Sequence, residues 1–200
     1  MRTQGNRATG QQGLLRPKLV VKSTLKYGKG VFAVDDIRKG EIIHVCRGIR
    51  MTLTDLIAKV NSGEEYIDDP LQIGRRTYID LDEFSRLFNH SCNPTAGMRN
   101  VSEIFALRNI KKGEQITYDY SLTIAPTVWE MECKCGSKNC RKTLGDVRSV
   151  PSDRIAEYKK VGALQRYMKL LLKEVQEGRY EMPKYELVAL EKIKNTTTSN

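Results

Sequence analysis

No apolar run in the 200 residues approaches the roughly 18–20 needed to span a bilayer. The basic start, Met1–Gly13, is followed by no apolar stretch, so no secretory leader is read and an intracellular chain is expected. Cytoplasm and nucleus are not distinguished at this level, and a secreted effector remains compatible. Five cysteines make no even disulfide framework, and in a reducing compartment a cysteine cluster points to metal instead. Only two histidines occur, His44 and His90, which leaves little material for a histidine-rich metal site or a histidine relay. Aromatics make up 7% of the chain, and none precedes Tyr27, so the N-terminal arm has no platform on which to stack bases.

Apolar residues at 40% and charged residues at 29% describe a globular chain and exclude a coiled coil or a collagen. The net charge of +10 is unevenly placed. Met1–Val34 carries seven Lys/Arg and no acid, Asp35–Val150 is neutral, and Pro151–Asn200 has ten basic against seven acidic residues. A basic arm over residues 1–17 suits nucleic acid or an acidic protein face; a merely solvated terminus reads the same way.

Short β-rich runs separated by turns fill the first two thirds: Lys18–Ser23, Gly30–Val34, Glu41–Cys46, Thr77–Asp82, Val101–Arg108 and Gln115–Tyr120. A helix is expected over Thr54–Val60 with Thr54 as its cap. This is not a βαβ alternation, so a parallel nucleotide-binding sheet is disfavoured. From Pro151 the spacing becomes helical, with Ile155, Tyr158, Val161, Leu164, Met168, Leu171, Leu172 and Val175 on one face and Gly162 as an internal weak point. A second short helix is expected over Glu186–Ile193. This tail either packs back on the core or offers a dimer or partner surface.

Cys133-Lys-Cys135-Gly-Ser-Lys-Asn-Cys140 is C-x-C-x4-C, a spacing from which a tight hairpin delivers three thiolates to a tetrahedral zinc. Cys92 is the leading fourth ligand, whereas Cys46 sits inside an apolar strand and reads as a buried thiol. Four sulfur ligands leave no open position, so the Zn2+ is structural.

The run Arg86-Leu87-Phe88-Asn89-His90-Ser91-Cys92-Asn93-Pro94 resembles the core motif of SET-domain protein lysine methyltransferases. So does Gly113-Glu114-Gln115-Ile116-Thr117-Tyr118-Asp119-Tyr120. Tyr27-Gly28-Lys29-Gly30-Val31-Phe32-Ala33 is similar to that family's first motif, and the cysteine cluster with Arg141 to its post-SET zinc segment. The resemblance covers residues 18–147. It implies a mainly β fold with some α: a SET-type fold of small β-sheets with a knot-like thread, a post-SET segment binding zinc through four cysteines, and a C-terminal helical tail. The implied division is a basic arm at 1–17, a SET domain at 18–124, the post-SET segment at 125–147 and the tail at 148–200.

It also implies an activity, methyl transfer from S-adenosylmethionine to a peptide lysine, with histone-like proteins as one substrate class and mono- or dimethylation favoured. Tyr120 and Tyr118 become the catalytic pair, and Tyr78 a third residue of the substrate channel. Gly28, Lys29, Gly30, Arg86, Asn89 and His90 become the cofactor-binding set, Arg86 pairing with a carboxylate. His44 belongs to no motif and is expected to be structural, as is Trp129. Three departures stand out: Thr143 where relatives often place an aromatic against adenine, a short insert over Thr52–Thr77, and no cysteine-rich segment before residue 18. The alternative functions are a non-enzymatic zinc-stabilised binding module and a DNA-binding zinc protein. The latter has no helix beside its cysteines to enter a groove. No membrane partner is expected, and the oligomeric state is left open.

Overall fold

The computed structural model describes residues 18–24, 28–65, 69–127 and 129–181. The arm over 1–17 and the helix expected over Glu186–Ile193 lie outside the described residues.

Twelve short strands and three helices make up the described chain. β1 (Leu19–Ser23) and β2 (Lys29–Ala33) form an antiparallel hairpin in which Val31 and Ala33 point inward at period two. β3 (Ile42–Val45), β8 (Ala96–Arg99) and β9 (Glu103–Ala106) form a second sheet in the order β3-β9-β8. β4 (Gly48–Thr52), β5 (Leu71–Gln72) and β6 (Thr77–Leu81) form a third, in the order β4-β6-β5.

The central strand β9 is buried on both faces. Ile104 and Ala106 join the main core with Val31, Ile43, Phe88 and Ile116, while Phe105 on the other face joins Leu164, Met168 and Leu171. That second face is where helices of the C-terminal region dock, so residues 152–176 pack back on the core.

Two expectations about helices need correction. α1 runs Leu53–Ser62 with Thr52, not Thr54, as its cap. The Thr52 hydroxyl accepts from the Asp55 amide at 3.2 Å, and the Asp55 carboxylate accepts from the Thr52 amide at 2.8 Å. This reciprocal pair satisfies two amides that the first turn leaves open, and Thr54 has no such partner three residues on. The tail is not one helix with a weak point. α2 (Ser152–Lys160) and α3 (Arg166–Gln176) are separated by a turn at Gly162, whose φ of +77° is a left-handed conformation that glycine adopts without strain.

The strand expected from Val101 begins instead at Glu103, because Asn100 and Val101 both take positive φ in the loop joining β8 to β9. β10 is only Thr117–Tyr118, and the chain then turns through a 3-10 segment at Tyr120–Thr123. β10 pairs in parallel with β7 (Asn89–His90), setting Thr117 against Asn89 and Tyr118 against His90. Two motifs far apart in sequence are thereby laid side by side. β11 (Met131–Glu132) and β12 (Thr143–Leu144) close an antiparallel hairpin around the cysteine loop.

Candidate functional site

The β7/β10 pair places Tyr118 and Tyr120 next to one another, ring centroids 4.8 Å apart and planes tilted by 50°. Both line a cavity of about 230 Å³. Phe88 and Leu71 form part of its wall, and Trp129 and Met131 reach it from the segment before the cysteines. The Tyr120 hydroxyl donates to the Phe88 carbonyl at 2.9 Å, so its oxygen is held by the residue directly before Asn89. Burial pushes the Tyr118 phenol well above its ordinary 10, with Tyr120 beside it acting in the same direction. Tyr118 is therefore a neutral hydroxyl throughout the physiological range.

Asn89 faces the β1–β2 hairpin, its side-chain amide donating to the Lys29 carbonyl at 2.9 Å. A Cβ on Gly30 would fall 2.4 Å from Gln115 Nε2 and 2.8 Å from Asn89 Nδ2, so a larger residue there would push both amide side chains aside. Gly28, at φ +67°, turns the chain into β2. Gln115 Nε2, against Gly30, is buried with no hydrogen-bond partner. Gly28, Lys29, Gly30 and Asn89 thus lie together, with an unanswered donor beside them.

The His90 side chain turns away from the hairpin toward the cysteines, which leaves only its backbone on the side of Asn89. The Tyr120 amide donates to His90 Nδ1 at 3.2 Å, which assigns the ring proton to Nε2. Nε2 then points at Cys92 Sγ, 3.3 Å away. Burial, aided by the Arg141 charge, lowers the imidazole to about 3 and keeps it neutral.

Cys92 and Cys133 sulfurs are 3.7 Å apart. Sulfurs at about 2.3 Å from one tetrahedral zinc are about 3.8 Å from each other, so this spacing fits. His90, Cys92, Cys133 and Cys135 offer ligand atoms all within 4.8 Å of one another. Cys140 packs on the same cluster, its sulfur facing the Cys133 carbonyl at 3.4 Å. A His90 ligand through Nε2 would carry its proton on Nδ1 and oppose the Tyr120 amide, donor against donor. The network therefore makes His90 a donor to the Cys92 sulfur. Gly136 at φ +73° lets the cysteine loop turn. Burial raises the Cys92 and Cys133 thiols, whereas at Cys135 burial is outweighed by the Ser137 hydroxyl and backbone amides, which bring it down to about 6.

A further tie joins this cluster to the tyrosines. Arg141 Nη2 donates to the buried Asp119 carboxylate at 2.5 Å, and the Arg141 amide points at Cys92 Sγ at 3.4 Å. Asp119 sits between Tyr118 and Tyr120, so the arginine after the last cysteine clamps the segment that carries both tyrosines.

Two candidates are placed elsewhere. Arg86 borders the cavity, but its five donors are all engaged: Nε on the Leu81 carbonyl, Nη1 on Glu65 and Asp69, Nη2 on Glu65 and Asp80. Sequence spacing does not reveal this ionic network, because the acids come from separate segments. Tyr78 packs on the Met51–Leu53–Leu56 cluster and is not among the cavity-lining residues. His44, on Ser85 at 2.9 Å and stacked on Phe88, is structural as expected. Cys46 is a buried thiol raised to about 12 by desolvation.

Sequence reasoning missed Trp129 and Met131 as cavity walls. Trp129 does pack on the cysteine cluster, and its position between the last strand and the first cysteine was the available signal. It also missed Tyr167 on α3, whose hydroxyl donates to the carbonyls of Gln72 (2.9 Å) and Thr123 (3.1 Å), both cavity residues.

A tyrosine-lined cavity, a glycine hairpin on an asparagine and a cysteine cluster tied to the tyrosine segment make up a SET-type architecture. Residues 28–121 match the SET domain family, and the chain carries a SET domain. It is 33% identical over 159 residues to histone-lysine N-methyltransferase ASHH3 of Arabidopsis thaliana, covering 73% of this chain and 43% of that protein. It is 32% identical over 130 residues to human histone-lysine N-methyltransferase 2B, covering 59% of this chain and 5% of that protein. The chain thus spans less than half the length of these relatives. Among solved structures, the methyltransferase domain of human histone-lysine N-methyltransferase SETMAR superposes with a TM-score of 0.55 at 21% identity, covering 66% of this chain and 59% of that one.

Proposed function

We propose that the protein is a protein-lysine N-methyltransferase using S-adenosylmethionine. The observation that carries this reading is the Tyr118–Tyr120 pair on a narrow cavity, with Tyr120 anchored to the backbone beside Asn89 and the Gly28–Gly30 hairpin. The relatives named as histone-lysine N-methyltransferases support it. S-adenosylmethionine supplies, when bound, an electrophilic methyl carbon on a positively charged sulfur. Gly28, Lys29, Gly30, Asn89 and the backbone of His90 form its cradle, and the unpartnered Gln115 amide fits a polar ligand there.

The nucleophile is a neutral lysine amine, with a free pKa of about 10.4. Neutralising it at pH 7 costs about 4.6 kcal/mol at ~1.36 kcal/mol per pH unit. A dry, aromatic-walled passage disfavours the ammonium and lowers that cost. Tyr120 orients the amine and the methyl group. A phenol with an ordinary pKa of about 10 is a poor base at neutral pH, so the proton leaves through water. Tyr118 contributes a hydroxyl that takes up room otherwise open to added methyl groups, which favours mono- or dimethylation.

The functional unit is the SET domain at 18–124, with a post-SET segment at 125–147 holding structural zinc through Cys92, Cys133, Cys135 and Cys140. The basic arm at 1–17 suits contact with nucleic acid, in keeping with work at chromatin on a histone-like substrate.

Radiolabelled methyl transfer onto core histones, nucleosomes and whole lysate tests the activity. Label should enter lysine with the wild type and fall at least 100-fold with Tyr120→Phe. A second reading, a zinc-stabilised binding module, draws on the exposed Thr143 of β12, which offers no ring to adenine. Absence of S-adenosylmethionine binding at millimolar concentration in calorimetry would favour it.

A further inference from the structure

A groove of about 590 Å³, with Tyr167 in its lining, lies between the β8–β9 loop and the start of α3. Its lining includes Val101 and Leu170, and Val161 immediately precedes Gly162, which also lines it. Those three are exposed by 37%, 55% and 38%, and among the described residues only Ile49 is another large apolar side chain so exposed. Exposed apolar groups gathered on one groove mark an interaction surface.

The backbone adds a second, independent sign. Val101 has φ +78° directly after Asn100 at +45°. A β-branched residue in that region is a conformational outlier, held only where surrounding contacts impose it. Gln165, buried at the head of α3, supplies such a contact by donating to the Val101 carbonyl at 3.1 Å. A glycine would relieve the loop, yet the chain keeps an exposed valine facing the groove.

The charge of the rim identifies the occupant. Arg166 and Lys169 are both exposed and one turn apart on α3, and neither has an ion-pair partner among the described residues. Arg99 is pinned by Glu103 at 2.5 Å and lies over the Phe105 ring at 4.4 Å, so it serves as wall. No acidic residue lines the groove among the described residues. We propose that this groove docks an acidic peptide segment of a partner protein, with an apolar side chain seated between Val101 and Leu170 and carboxylates meeting Arg166 and Lys169. A phosphate backbone would leave the apolar floor unused, and two free cations are few for DNA. A second copy of a chain with net charge +10 brings the wrong sign. The proposal does not depend on the methyltransferase reading.

Selection from a random 12-residue peptide display library on the full chain tests it. Enrichment of sequences combining Asp/Glu with Leu, Ile or Phe is expected. A synthetic enriched peptide should bind at least ten-fold more weakly, by fluorescence anisotropy, to both Leu170→Glu and Lys169→Glu. Both positions are exposed, so unchanged melting temperatures accompany that loss. No enrichment, enrichment of basic peptides, or equal binding to wild type and both variants would overturn the proposal. So would binding of a 20-base-pair DNA duplex that Lys169→Glu abolishes and Leu170→Glu leaves intact. A dimer in sedimentation that Leu170→Glu disperses, or peptide binding that appears only after deletion of residues 182–200, would likewise assign the groove to another occupant.

Discussion

Tyr118 and Tyr120 face the same cavity, Tyr118 from the end of β10 and Tyr120 from the start of the 3-10 turn, the i, i+2 spacing that puts two side chains on one side of an extended chain. On the proposed reading, removing only the Tyr118 hydroxyl would widen the space around a bound amine and leave Tyr120 in place. Tyr118→Phe should therefore raise the product state, read by mass spectrometry as new trimethyl-lysine; equal trimethylation by wild type and variant would contradict the role. Arg86 makes the opposite point. Its guanidinium holds the nearly buried Glu65, with Asp69 and Asp80. Arg86→Met should cost stability, about 3–5 kcal/mol by analogy with broken buried pairs. Urea denaturation checks this, and a raised cofactor KM with unchanged stability would restore the cofactor role. That Tyr118 and Asn89 would share one site was legible from their motifs, which the β7/β10 pairing brings together. The acids around Arg86 were not legible, because they arrive from separate places in the chain.

Among the elements, the β11–β12 hairpin and its cysteines form the bridge to the strand that carries the tyrosines. Cys92 follows β7, His90 links its sulfur to the Tyr120 amide, and Arg141 links the same sulfur to Asp119. Loss of metal should loosen that bridge, and Trp129, the single tryptophan, reports on it from its place on the cluster. A strong chelator should red-shift the Trp129 emission and lower the melting temperature, both reversed by zinc. An unchanged spectrum with bound metal demonstrably removed would refute the structural role. Strands such as β5, β7 and β10 are two residues long, too short for any alternation to show, which is why their pairing was invisible in sequence. The cap of α1 was misplaced by two residues since Thr52 and Thr54 look alike until Asp55 is seen three residues after the first.

At the scale of the whole molecule, the C-terminal helices complete the fold. Tyr158, Leu164, Met168 and Leu171 bury against Phe105 and Leu122, so the tail's helical period did announce its packing face while hiding the break at Gly162. Burial there raises the Tyr158 phenol from 10 to about 12. The unfolded chain thus loses that proton at lower pH than the folded one, and the contribution, complete below pH 10, fades as pH climbs toward 12. Calorimetric melting should show stability falling above pH 10, and Tyr158→Phe should make the fall shallower; an identical slope would contradict the assignment.

The central claim is that the tyrosine cavity holds a substrate amine in line with a methyl donor. A crystal structure of the protein with S-adenosylhomocysteine and a lysine peptide tests it most directly. The lysine side chain should pass between Tyr118 and Tyr120, its nitrogen directed at the cofactor sulfur beside Asn89. A lysine bound elsewhere, with both ligands present and the cavity closed or empty, would contradict the account.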